Sequence, residues 1–134
     1  MLQDIVLYLA RSPEFPQGSP ERGYEIVAPI DAAGHLDAKE WRKLKTKCRV
    51  RRFSPSEGER QGMLHHIPRG AGGAWRIEYD GQPEGYGEKG VHFDTHRFAE
   101  GEYVSLRDVD GHLNTFKIAR MRPAGQLAAE TASA

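Results

Sequence analysis

Cysteine is nearly absent from this 134-residue chain, whose one cysteine is Cys48. A single thiol excludes an internal disulfide framework and a zinc site built from several cysteines. It is also typical of proteins that work in a reducing compartment. We therefore expect a cytoplasmic protein.

Long hydrophobic runs and net charge are missing as well. The longest apolar segment, residues 5–10, is much shorter than the about 20 residues that a membrane-spanning helix needs. The 19 lysine and arginine residues balance 19 aspartate and glutamate residues. A neutral chain is unlike a general nucleic-acid-binding or membrane-surface protein, which carries a large charge. We expect no membrane partner.

The sequence does contain many short strand-like segments separated by proline and glycine. Apolar and charged residues alternate over residues 75–79, and residues 102–107 and 112–118 flank an Asp110-Gly111 turn. Seven or eight such segments predict a mainly β fold, an antiparallel barrel or strongly bent sheet with one short α-helix. A minor α+β variant is the alternative. We expect one domain over residues 1–122 and a disordered tail over 123–134.

One helix is predicted over residues 38–45. Asp37 is placed to cap its first amides, and Glu40 follows three residues later, as in a capping box. Leu36 and Trp41 have the spacing of a hydrophobic staple. The predicted core consists of apolar residues from the strand-like segments: Leu7, Ile26, Ala28, Val50, Trp75, Ile77, Tyr79, Phe93, Val104, Leu106, Phe116 and Ile118.

Three further expectations concern local structure. Residues 81–90 contain four glycines and a proline and are predicted to form a loop. Residues 91–98 are predicted to form a strand. Val50 and Phe53 have opposite parity, so a bulge near Arg51 and Arg52 is needed if both are to be buried.

The six histidines raise the hypothesis of a metal site. His65 and His66 are neighbours on a predicted strand, so their side chains should point to opposite faces. His92 and Asp94 share one face of the predicted strand at residues 91–98 and would need a third ligand from His65 or His66. The alternative interpretation is a solvated polar strand face.

A basic cluster is the strongest deviation from an even charge distribution. Residues 39–52 contain eight basic residues and one acid, whereas residues 78–110 contain nine acids and three basic residues. One interpretation is a site for an anionic small molecule, nucleic acid or protein. The candidate binding residues are Arg49, Arg51, Arg52, Lys43 and Lys47. The alternative is that basic and acidic surfaces pair within the sheet or between subunits.

Several short motifs resemble those of a family of small bacterial proteins with no assigned activity. They include Gly23-Tyr24, Trp41, Trp75 and residues 101–105, together with Asp110-Gly111. The resemblance extends over residues 24–121. It implies no catalytic residue, because the family has no assigned activity. Its motifs are typical of turn and core positions.

These observations favour a non-enzymatic binding or interaction module that recognises an anionic ligand or partner. The sequence contains no nucleophile paired with a base, no full set of metal ligands and no cofactor fingerprint. We expect no cofactor. Two alternatives stay open: a small metal-dependent enzyme that uses strand histidines, and a structural homodimer.

Overall fold

The computed structural model describes residues 1–68, 73–83 and 87–124. The predicted tail lies outside these residues from position 125 onward. The elements, in chain order, are β1 Leu2–Leu9, β2 Ser19–Pro29, α1 Ala38–Leu44, a 3₁₀ turn Lys45–Lys47, β3 Arg49–Ser54, β4 Gly58–Ile67, β5 Ala74–Tyr79, β6 Gly87–Val91, β7 Tyr103–Arg107 and β8 Leu113–Pro123.

The eight strands form a closed antiparallel barrel in which each strand pairs with the next and β8 pairs with β1. This confirms the predicted fold class. The connections after β1, β3, β5 and β7 lie at one end, which we call the open end. The connections after β2, β4 and β6 lie at the other end, and α1 is in the first of these, so we call it the helix end.

The core fills the barrel interior, and all twelve of the predicted core residues are buried. Side chains alternate between the interior and the outer wall, so each strand contributes every second residue to the core. Tyr24, Ile26 and Ala28 of β2 face inward, whereas Glu25 and Val27 do not belong to the core cluster. Residue parity therefore determines which charged side chains enter the barrel.

The helix starts at the predicted N-cap, Asp37, but the Asp37 amide donates to the Pro29 carbonyl rather than to the Glu40 side chain, so half of the predicted capping box forms. The Asp37 carboxylate accepts a hydrogen bond from the Glu40 amide at 3.1 Å, and Leu36 and Trp41 are both buried. The Trp41 indole Nε1 donates to the Leu64 carbonyl at 2.8 Å, which ties α1 to β4. Within the described residues, no helix combines the length and the apolar character needed to cross a membrane.

Two of the local predictions around β6 are wrong. Residues 87–91 form a strand rather than part of a loop, and residues 92–95 form a turn rather than a strand. His92 adopts a left-handed φ of 57°, which turns the chain back so that the Phe93 ring packs over Gly90. A Cβ on Gly90 would lie 2.2 Å from that ring. The glycine is needed here for close packing inside the barrel.

The bulge that would be needed to bury both Val50 and Phe53 is absent from β3. The register between β3 and β4 runs without interruption from Arg49 to Ser54. Phe53 therefore points away from the core, and its ring meets Tyr8 edge-to-face with centroids 6.3 Å apart, at the edge of the open end. Because Val50 faces inward and the strand is regular, Arg52 faces inward too.

Candidate functional site

A buried carboxylate, that of Glu88, is the centre of a polar cluster near the open end of the barrel. Glu88 is 2% exposed. The Tyr24 hydroxyl donates to its Oε1 at 2.8 Å, and the Tyr79 hydroxyl donates to the same oxygen. Arg52 Nη1 lies 3.1 Å from the other oxygen, Oε2. Both carboxylate oxygens are thus engaged by side chains from β2, β3 and β5.

The two tyrosines of this cluster are held in their protonated form. Burial raises the pKa of Tyr24 and of Tyr79 well above the usual value, and the negative charge of Glu88 raises both further. A protonated phenol donates one hydrogen bond, which each tyrosine gives to Glu88. The cluster therefore surrounds the Glu88 carboxylate with two hydroxyl donors and one guanidinium.

Arg60 brings a second guanidinium to the same region. Tyr24, Arg52 and Arg60 are direct cross-strand partners on β2, β3 and β4, so their side chains share the inward face. The Arg60 guanidinium lies over the Tyr79 ring, 4.4 Å from its centroid. Among the residues that the structure describes, Arg52 pairs with Glu88 and Glu57, whereas Arg60 has no carboxylate partner.

A cavity of about 210 Å³ opens at this end of the barrel and reaches Tyr24 and Arg52. Aromatic rings line part of it, and Tyr24 and Phe116 meet there edge-to-face with centroids 5.0 Å apart. Its remaining lining is mostly polar: Leu9, Glu14, Phe15, Arg22, Gly23, Arg52, Phe53, Ser54, Ser56, Glu57 and Asn114. Tyr24 and Arg52 join this cavity to the cluster, whose other members, Tyr79, Glu88 and Arg60, do not line it. We call the cavity and the cluster together the mouth.

The five predicted binding residues do not form one site. Lys43 and Lys47 are exposed at the helix end, where Lys43 pairs with Glu40 at 3.4 Å. Arg49 and Arg51 lie on the outer wall. Of the five, Arg52 is the one that reaches the mouth.

The outer-wall arginines already have carboxylate partners. Arg49 Nη2 lies 3.0 Å from Asp80 Oδ2. Arg51 contacts Glu25 Oε1 at 3.2 Å and Glu59 Oε2 at 3.3 Å. Pairing of basic and acidic side chains across the sheet, the alternative interpretation of the basic cluster, therefore describes these two residues.

The candidate metal ligands are also spread apart. His65 lies on the outer wall, 3.5 Å from Glu78, and His66 packs on Trp75 with ring centroids 4.6 Å apart. The two histidines point to opposite faces, as predicted. His92 and Asp94 lie in a turn, so their predicted alignment on one strand face is wrong.

One set of three metal-ligand side chains does converge among the described residues. Asp108, Asp110 and His112 place ligand atoms within 4.8 Å of one another in the turn between β7 and β8. The Asp108 Oδ1 accepts hydrogen bonds from the amides of Asp110 and His112, at 3.0 and 2.9 Å. The aspartate therefore stabilises the hairpin turn, which is the role expected from its position.

Cys48 is fully buried, with its Sγ donating to the Leu44 carbonyl at 3.3 Å. Burial raises the pKa of its thiol to about 11. The thiol is therefore protonated at neutral pH and is a poor nucleophile.

A second buried carboxylate, that of Asp4, lies on the outer wall. Asp4 is 7% exposed, and its Oδ1 has no hydrogen-bond partner among the described residues. Burial, together with a hydrogen bond to Glu25 and repulsion from its charge, raises the pKa of Asp4 to about 7, against the opposing effect of Arg120 and Arg51. Asp4 and Glu25 therefore form a carboxyl pair that favours holding a proton.

Sequence reasoning missed Arg60, Glu88 and the roles of the two tyrosines. Arg60 precedes the predicted strand that contains His65 and His66, and Glu88 lies in the loop predicted over residues 81–90. The alternation of side chains along the strand does indicate the position of Arg60. If the predicted strand is extended back to Gly58, Arg60 lies on the same face as Gly62 and Leu64.

Comparison with protein-family models, with curated proteins and with solved structures found no match to this chain. The resemblance to a family of small bacterial proteins therefore stays a prediction.

Proposed function

We propose that this protein binds a small organic oxyanion, a carboxylate or a phosphate, at the mouth of the barrel. The observation that carries this proposal is the pair of inward-facing cross-strand arginines, Arg52 and Arg60, of which Arg52 contacts the buried Glu88 carboxylate and Arg60 lies over the Tyr79 ring. The anionic ligand expected from the basic cluster is retained in this proposal. The proposed binding site lies at the open end of the barrel, and not on the outer wall or at the helix end, where most of the candidate binding residues are.

Electrostatics supports an anion between these arginines. Residues directly opposite each other on antiparallel strands have Cβ atoms about 5 Å apart, and like charges at such positions are destabilising. Glu88 compensates one of the two charges, and the exposed Glu57 is 3.9 Å from Arg52. Both carboxylates pair with Arg52, so an oxyanion at Arg60 would supply the partner that this guanidinium lacks among the described residues. The planar guanidinium suits bidentate recognition of carboxylate or phosphate.

The size and lining of the cavity support a small ligand with an apolar part. Drug-sized ligands occupy cavities of roughly 300–1,000 Å³, and the mouth offers about 210 Å³. Phe15, Phe53 and Phe116 supply apolar surface around its polar floor. A single aromatic ring or short chain with an anionic group fits this combination.

The state of the polar cluster favours binding over catalysis. Glu88 has both oxygens engaged in hydrogen bonds or an ion pair, and a general base needs a free lone pair toward the substrate. Burial and the charge of Glu88 raise the pKa of both tyrosines, so neither supplies a phenolate at neutral pH. We therefore propose a binding module rather than an enzyme.

Isothermal titration with benzoate, phenyl phosphate and inorganic phosphate tests this proposal. We expect at least one probe to bind and Arg60→Met to weaken its binding by roughly tenfold or more, since a charge-assisted contact is lost. The probes also separate the carboxylate from the phosphate and show whether the ring contributes.

Arg49→Met is the matched control, because it removes an arginine from the outer wall and leaves the mouth unchanged. Equal losses in the two variants, or no binding of any probe by the wild-type protein at millimolar concentration, would refute the proposal.

A further inference from the structure

A second feature, next to the mouth, is a row of aromatic and basic side chains on the outer wall. Tyr8 on β1 is the register partner of Lys117 on β8, and Lys117 is the partner of Tyr103 on β7. All three point outward, because the neighbouring residues Leu7, Phe116 and Val104 are in the core. The row thus places a lysine between two tyrosines on adjacent strands.

This row borders a groove of about 550 Å³, formed with the loop that follows β1. Arg11 and Lys117 supply two cations to its lining, and Tyr8 and Tyr103 supply two rings. None of the described residues that line it is an aspartate or a glutamate. Tyr103 is 53% exposed, so its ring is available for contact.

The two cations are not neutralised within the described part of the chain. Neither Lys117 nor Arg11 forms an ion pair there, whereas Arg49, Arg51 and Arg52 all do. Both side chains are exposed. The groove is therefore a positively charged surface on a chain that is neutral as a whole.

The spacing of the row fits a chain of flat rings joined by anionic links. Adjacent strands are about 4.8 Å apart, so Tyr8 and Tyr103, two strands apart, are separated by roughly 10 Å across the wall. Bases stack on exposed aromatic rings without regard to sequence, and phosphates pair with lysine and arginine between them. We propose that this groove binds single-stranded nucleic acid, with bases on the two tyrosines and phosphates at Lys117 and Arg11.

Fluorescence anisotropy with a fluorescein-labelled oligothymidylate of about ten nucleotides tests this proposal. We expect Tyr103→Ala to weaken binding by about tenfold, because a stacking platform is lost. An abasic oligonucleotide of equal length should bind the wild-type protein more weakly, since it keeps the phosphates and lacks the bases.

The salt dependence tests the phosphate contacts. Each phosphate contact on a single strand contributes about −0.7 to the slope of the logarithm of affinity against the logarithm of salt concentration. Lys117→Met should therefore make that slope shallower by about 0.7. Lys89→Met is the matched control, because Lys89 is an exposed lysine on β6, away from the groove, and it should leave the slope unchanged.

Three results would overturn the inference. They are equal affinity for the abasic strand, unchanged binding by the Tyr103→Ala protein, and no binding of the oligothymidylate at low salt. Binding to phosphatidylserine vesicles in place of the oligonucleotide would assign the groove to a membrane surface instead. Arg60→Met should affect none of these measurements, so a failure here is separate from a failure at the mouth.

Discussion

Glu88→Ala is expected to lower the free energy of unfolding by about 3–5 kcal/mol, the range for breaking a buried ion pair from one side. The substitution leaves the Arg52 guanidinium without its buried partner. It also leaves the Tyr24 and Tyr79 hydroxyls, both inside the barrel, with no acceptor. Urea unfolding monitored by circular dichroism measures the change.

Two further variants separate charge from volume. Glu88→Gln keeps an acceptor oxygen for the tyrosines and removes the charge, so its loss should be smaller than that of Glu88→Ala. The double variant Glu88→Leu with Arg52→Met replaces the pair by apolar side chains and should recover part of the stability lost in Glu88→Ala. A loss below about 1 kcal/mol in Glu88→Ala would contradict the buried cluster, because that is the cost of an ordinary surface change.

Asp4→Asn is expected to stabilise the protein at pH 8 by about 2–4 kcal/mol and to have little effect at pH 4. The pKa of Asp4 rises from 3.8 to about 7 on folding, chiefly because of burial. The folded protein therefore binds a proton that the unfolded chain releases between these pH values. Its stability falls as pH rises from about 4 to 7, and asparagine removes that fall.

Unfolding free energies measured from pH 4 to pH 8 test this prediction. The wild-type protein should lose stability across that range at Asp4, and the Asp4→Asn protein should not. Asp110→Asn is the control, since Asp110 is an exposed turn residue. Parallel pH profiles for the wild-type and Asp4→Asn proteins would show that the carboxyl pair with Glu25 does not control stability.

The strands and the core could be predicted because alternation carries that information directly. Residues 75–79 show the pattern without interruption, and their apolar members are buried. The capping residues Asp37 and Glu40 likewise specify the helix start through local contacts. These features depend on neighbours within a few positions of the chain.

β6 could not be predicted, because its glycines serve the closed barrel. A Cβ on Gly87 would lie 2.1 Å from the Ile77 carbonyl oxygen, and one on Gly90 would meet the Phe93 ring. Both glycines permit close approach of another part of the chain, whereas glycine in a sequence usually indicates a turn. Because residues 81–90 were predicted to form a loop, Glu88, the central residue of the mouth, was not assigned to the inward face of a strand.

The separation of the basic cluster also depends on long-range structure. Arg51 and Arg52 are adjacent, yet one pairs with Glu25 on the outer wall and the other with Glu88 inside the barrel. A shift of one residue in register would exchange the two positions. From the sequence, a bulge in β3 would change which of the two arginines faces inward. Because the strand is regular, Arg52 faces inward and Phe53 points away from the core.

The most direct test of the proposed function is to follow the arginine side-chain Nε–H signals by NMR during titration with phenyl phosphate. We predict that the signals of Arg60 and Arg52 shift with a saturable dependence on ligand concentration, and that those of Arg49 and Arg51 stay in place. Shifts confined to the outer-wall arginines, with Arg60 unchanged at saturation, would contradict an anion site inside the mouth.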